Sequence, residues 1–172
     1  MKKILLLVAA VMVVSCTGVF AEQWTPVRIS LVPGLALPPF AVTKGISAGI
    51  LASQLDVVWG VEGSFIWSRV DKEMYGAQLV FVGARAGKMY GIQNSITSKA
   101  EEVRGIQGGF VSRANIVKGW QSSFAYSKAQ DLTGLQTGII NYAKVLKGVQ
   151  IGLINIAGNA KIKVLPIINA KF

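Results

Sequence analysis

The chain has 172 residues, enough for one domain with a real core; 52% of them are hydrophobic and the mean hydropathy is +0.49. It contains no histidine, which removes the usual general base and the commonest metal ligand, and with them any Ser-His-Asp or Cys-His arrangement. Eighteen Lys and Arg against eight Asp and Glu give a net charge of +10, scattered singly along the chain.

The first element is a secretory signal. Met1, Lys2 and Lys3 form a basic start, residues 4–14 are an unbroken apolar run, and small residues follow. The run is too short to span a bilayer as a helix, which needs about 20 residues. Two cleavage sites compete. Cutting after Ala21 makes 1–21 a discarded signal peptide and leaves a mature chain with no cysteine, hence no disulfide. Alternatively Val13-Val14-Ser15-Cys16 resembles a lipobox, in which Cys16 would be lipidated and serve as an anchor. Loss of Lys2 and Lys3 takes 18 basic residues to 16 against 8 acidic ones, a net +8. In an exported chain that surplus points to outer-membrane lipid or another anionic envelope surface as partner, and away from nucleic acid.

Residues 22–59 lead into the repeats. A strand is expected over 27–32, then a connection broken by Pro33, Pro38 and Pro39, then a degenerate extra unit over 45–51. From 60 to 160 the chain is periodic. Gly-x-Gln recurs at Gly76/Gln78, Gly91/Gln93, Gly105/Gln107, Gly119/Gln121, Gly134/Gln136 and Gly148/Gln150, preceded by the variant Gly60/Glu62. The glycine intervals are 14–16 residues, which defines seven tandem units. Five residues after each glycine stands Phe65, Phe81, Ile96, Phe110, Phe124, Ile139 or Leu153. One residue earlier the side chain is small in every unit but that of Val80. Within a unit the period is two, which means strand. In the last unit Val149, Ile151 and Leu153 share one face with Gln150 and Gly152 on the other; Leu153-Ile154 then resets the phase, as a bulge or a corner would. Residues 161–172 drop the glycine and read as a terminal strand.

The pattern predicts an all-β fold and admits two ways of building it. The first is an antiparallel outer-membrane barrel of about ten short strands, since each unit supplies about the nine to eleven residues a tilted spanning strand needs. Its apolar face would meet lipid while Gln, Gly, Asn and Ala fill a narrow lumen, and Phe172 would end the last strand with an aromatic residue. The alternative is a parallel β-solenoid with one 14–15-residue coil per repeat, in which Gln stacks on Gln and Phe on Phe. Hydropathy leans toward the barrel; the in-register repetition and the short links lean toward the solenoid.

The units 134–143 and 148–157, followed by Val164-Leu165-Pro166-Ile167-Ile168-Asn169 near the terminal Phe172, resemble the tandem Gly-Leu-Gln-x-Gly-Leu-x-Asn repeats of bacterial surface-repeat proteins, exported by diderm bacteria. The likeness spans roughly 60–172 and is strongest in the last forty residues; Trp67, Gly83, Ser98, Ser112 and Tyr126 stand where the pattern has Asn. It implies surface or outer-membrane placement and supplies no activity or catalytic residue.

Little in the chain suggests catalysis. The closest acidic groups, Asp71 with Glu73 and Glu101 with Glu102, read as exposed turn residues, and Gly105 to Phe110 lacks the lysine and helix of a phosphate loop. No cofactor is implied. The column Gln78, Gln93, Gln107, Gln121, Gln136 and Gln150 is the best functional candidate, as a lumen lining or an amide ladder. Trp24, Trp59, Trp67 and Trp120, with Tyr75, Tyr90, Tyr126 and Tyr142, would serve as interfacial girdles or as ordinary packing. The expectation is a non-enzymatic envelope protein, an outer-membrane β-repeat protein with a structural or passive-channel role. The alternative is a surface-exposed solenoid that binds or adheres, lipid-anchored at Cys16 under the lipobox reading.

Overall fold

The computed structural model describes residues 24–172, and every regular element in that range is a β-strand. These are β1 (Trp24–Val32), β2 (Leu35–Leu37), β3 (Val42–Gly49), β4 (Ala52–Ser64), β5 (Trp67–Val80), β6 (Gly83–Thr137), β7 (Ile140–Ala157) and β8 (Val164–Lys171). The signal segment 1–21 and Cys16 lie outside the described residues.

Pairing decides the architecture. β1 on β3, β3 on β4, β4 on β5, β5 on β6 and β6 on β7 are all parallel. The register places Gly45 beside Gly60, Gly60 beside Gly76, Gly76 beside Gly91, and Gly134 beside Gly148. The long β6 winds over itself in the same register, with Gly91, Gly105, Gly119 and Gly134 superposed. With Pro26 under Gly45, the chain makes about nine coils of a β-solenoid. The antiparallel barrel is therefore corrected to the parallel solenoid. A barrel must reverse direction after each strand, whereas here every unit turns in the same sense and returns one level higher.

Three corners do the turning. At the glycine corner, Gly45, Gly60, Gly76, Gly91, Gly105, Gly119, Gly134 and Gly148 all have φ between +124° and +146°, a region L side chains rarely occupy. Five and six residues later come two consecutive outward side chains, as at Phe65-Ile66 and Phe81-Val82, and this is the phase reset. At the third corner two or three residues in a row again point outward, as at Asp71-Lys72-Glu73, Gly87-Lys88, Glu101-Glu102, Asn115-Ile116, Gln130-Asp131 and Lys144-Val145, and elsewhere inward and outward residues alternate.

The apolar half of the interior stacks Val58, Met74, Met89, Val103, Val117, Leu132 and Leu146 against Leu55, Val70, Ala86, Ala100, Ala114, Ala129 and Ala143. Both ends of the stack are closed by antiparallel strands, β2 against β1 and β8 against β7, which cover edges that would otherwise pair with another chain.

Candidate functional site

The other half of each coil is polar. Gln78, Gln93, Gln107, Gln121, Gln136 and Gln150 are completely buried and stack into one ladder. From Gln93 onward the Nε2 of each donates to the Oε1 of the Gln one coil below, at 2.8 Å for Gln93 to Gln78, 2.9 Å for Gln107 to Gln93, 2.8 Å for Gln121 to Gln107 and Gln136 to Gln121, and 2.7 Å for Gln150 to Gln136, while Gln78 Nε2 donates to Ser68 Oγ at 2.9 Å. The second amide hydrogen crosses the coil to a backbone carbonyl: Lys99, Arg113, Lys128, Tyr142 and Ile156 for Gln93 onward, at 3.2–3.3 Å. The column is thus a buried brace joining two walls of each coil.

The ladder is directional, every side-chain amide from Gln93 onward pointing one N–H toward the N-terminal coil below it. The positive end of that array of aligned dipoles meets Glu62, which occupies the same column one coil below Gln78. Glu62 is fully buried and accepts hydrogen bonds from Ser53 and Ser64. Burial holds its carboxyl pKa above the ordinary value, against the hydrogen bonds from Ser53, Ser68, Ser64 and Gln78 that pull it down. Below it the column continues through Ser47 to buried Arg28, whose pKa burial lowers while the Glu62 charge opposes that shift. At the other end, Gln150 stands beside Asn169 of the cap, and Gln150 Oε1 and Asn169 Nδ2 are unpaired.

A second inner column is formed by Ser53, Ser68, Ala84, Ser98, Ser112, Ser127, Asn141 and Asn155, and from Ser98 to Asn141 its side chains tether one coil to the next. Ser98 Oγ donates to Gly108 O (2.6 Å), Ser127 Oγ to Thr137 O (3.1 Å) and Asn141 Nδ2 to Ile151 O (2.9 Å). The register sets Ser127 opposite Asn141, and Ser53, Ser68 and Ala84 side by side. Trp67, Gly83 and Tyr126 therefore do not replace the Asn of the last units; longer units add a residue at the corner and move the match by one. The small residues facing this column follow from it, since a Cβ on Gly138 or Gly152 would crowd the Asn141 amide.

The outer surface is divided lengthwise. One face carries Ile50, Phe65, Phe81, Ile96, Phe110, Phe124, Ile139 and Leu153 as a single exposed column, with Phe65, Phe124 and Leu153 63–67% exposed. Phe65 stacks on Phe81 and Phe110 on Phe124, at centroid distances of 5.7 and 5.4 Å. Beside them run Leu51, Ile66, Val82 and Ile154, and on the other side of the corner strand Ile46, Val61, Ile92, Ile106 and Trp120. At about 4.8 Å per coil the stripe is roughly 40 Å long. Of the aromatic residues weighed as girdles, Trp59, Tyr75 and Tyr90 form an outward stack at 4.1 and 4.6 Å. Two apolar residues in sequence signalled this corner; which face they would share was set only by the coil.

The acidic pairs form no site. Asp71 is engaged by Arg69 and Gln54, Glu73 by Lys88 and Tyr75, and Glu102 by Arg104. Among the described residues no three His, Cys, Asp or Glu converge as metal ligands. Comparison with protein families, with curated proteins and with solved structures finds no match to this chain.

Proposed function

We propose that the chain is a non-enzymatic envelope protein, a surface-exposed β-solenoid that presents a binding face. The observation that carries this reading is the continuous apolar outer stripe, which no described residue of the chain covers. Exposed apolar patches beyond a few hundred Å² mark interaction surfaces; a stripe roughly 40 Å long and 10 Å wide reaches about 400 Å². The interior supports a scaffold role, because its side chains are spent on the ladder and the apolar core, leaving a passive channel nothing to conduct through. The signal-like start and the likeness to bacterial surface-repeat proteins support export to the outer membrane or cell surface, with Cys16 a candidate lipid anchor.

Expression of the full chain in a diderm host, followed by fractionation and protease shaving of intact cells, tests the placement. The expected result is an envelope protein cut by external protease, and palmitate incorporation lost in Cys16→Ala if the lipobox is used. Recovery in the cytoplasm with an intact N-terminus would overturn the reading.

A further inference from the structure

The apolar face is bordered by two rims of uniform sign. On one side, immediately past the Phe-Ile corner, Arg69, Arg85, Lys99, Arg113 and Lys128 occupy one position of five consecutive coils. On the other side, just before the glycine corner, the rim column contains Lys44, Trp59, Tyr75, Tyr90, Arg104, Lys118 and Lys147. Neither rim contains an acid. The surface acids Asp56, Asp71, Glu73, Glu101, Glu102 and Asp131 fall outside both columns, at the third corner of the coil, where Asp71 pairs with Arg69 and Glu102 with Arg104. Among the described residues Arg85, Lys99, Arg113 and Lys128 form no ion pair. The shallow depression between them is lined by Lys99, Arg113, Lys128, Asn115 and Gln130.

Resting on the binding-face reading above, we infer that the partner of this face is an anionic lipid bilayer, on which the solenoid lies lengthwise. The Phe65 to Leu153 column enters the acyl boundary, the cationic columns sit at headgroup phosphates, and the acids face water. An interfacial element combines an apolar face with Lys and Arg along its flanks, burying the apolar part about 5–10 Å into the interface. Trp59, Tyr75 and Tyr90 on the rim match the preference of amphipathic rings for the headgroup level. A groove lined by Phe124, Ile139, Ile151, Leu153 and Ile167 continues the apolar surface onto the capping strand. A second copy of this chain fits the face less well, since two stripes packed face to face would bring cationic rim against cationic rim. An anionic bilayer complements all three columns.

The test is co-sedimentation of the full chain with vesicles of phosphatidylglycerol and phosphatidylcholine, or of phosphatidylcholine alone, at low and high salt. Two variants sharing the same residues 1–23 are compared with it: Phe65→Ser, Phe81→Ser, Phe110→Ser and Phe124→Ser combined, and Arg85→Gln, Lys99→Gln, Arg113→Gln and Lys128→Gln combined. Binding should favour the anionic vesicles and weaken with salt. It should fall at least about tenfold per inserted ring removed, and about fivefold per cation removed. The unmutated chain supplies an independent measure, in which lipids brominated on the acyl chain should quench Trp120 and Trp59 fluorescence. Equal binding to neutral vesicles, full binding by both variants, or no quenching would overturn the inference. Loss of self-association in the Phe variant, with no vesicle binding by the parent chain, would also overturn it while leaving the binding-face reading in place. Phe and charge variants that behave like the parent toward vesicles and in self-association would sink both.

Discussion

Replacing Gly119 by alanine adds one methyl group at the glycine corner, and the structure sets the cost. Gly119 has φ +137°. A Cβ there would point at the Gly105 carbonyl oxygen of the coil below, more than 1 Å short of the 3.4 Å at which ordinary contact begins. Backbone strain at such a φ costs about 1–3 kcal/mol. Relieving the clash means opening two strands normally about 4.8 Å apart, which weakens about two ladder hydrogen bonds at roughly 0.5–1.5 kcal/mol each. The sum is a destabilisation of about 2–6 kcal/mol. Two other glycines separate the contributions. Gly34 has φ +85° with nothing within 4 Å of an added Cβ, so Gly34→Ala should show the backbone cost alone. Gly63 has no left-handed φ and its Cβ would meet only Leu79 O at 3.7 Å, so Gly63→Ala should be neutral or gain up to about 1 kcal/mol from the unfolded state. Urea and thermal unfolding followed by far-UV circular dichroism should rank the three as Gly63→Ala, Gly34→Ala, Gly119→Ala in falling stability, with the last losing at least about 4 °C in Tm. A Gly119→Ala protein as stable as Gly63→Ala would refute the superposed glycine corner, and with it the register.

Three further outcomes follow from the interior and its ends. Gln121→Leu leaves Gln107 Oε1 without its donor, takes the acceptor from Gln136 Nε2 and frees the Lys128 carbonyl; after the gain from a buried Leu, a net loss of about 1–4 kcal/mol is expected in urea titrations. Burial raises the Glu62 pKa in the fold, so the fold binds that proton more tightly than the unfolded chain does. Its contribution is fully present below the ordinary value of 4.5 and is lost as pH rises through the folded value. Glu62→Gln should therefore be more stable than the parent at neutral pH, with an advantage that shrinks on acidification; a pH-independent difference would contradict the burial argument. Truncation after Lys163 removes β8 and bares the β7 edge and Gln150 Oε1, so sedimentation should show concentration-dependent end-to-end association absent from the full chain.

Much of the coil was legible in the residues themselves. The Gly-x-Gln spacing identified the unit, the period of two identified strand, and the Leu153-Ile154 phase reset marked a corner. Those signals are local, because a side chain's face and a glycine's permitted φ depend on a few neighbouring residues. Strand direction is not local. A ten-residue amphipathic strand with short links satisfies a barrel and a solenoid equally, and hydropathy pulled the wrong way because apolar residues outside a solenoid look like apolar residues facing lipid around a barrel. Only the parallel register, Gly45 beside Gly60 and Gln78 beside Gln93, distinguishes them. That register also corrected the Asn column, where a one-residue difference in unit length moved the match from Tyr126 to Ser127. The cationic rims are the plainest case. Arg85, Lys99, Arg113 and Lys128 stand 14–15 residues apart and read as scattered charges in the chain; winding it into coils about 4.8 Å apart brings them into one column. Local residue order sets what each coil contains, and parallel stacking sets what those contents become when they repeat along a surface.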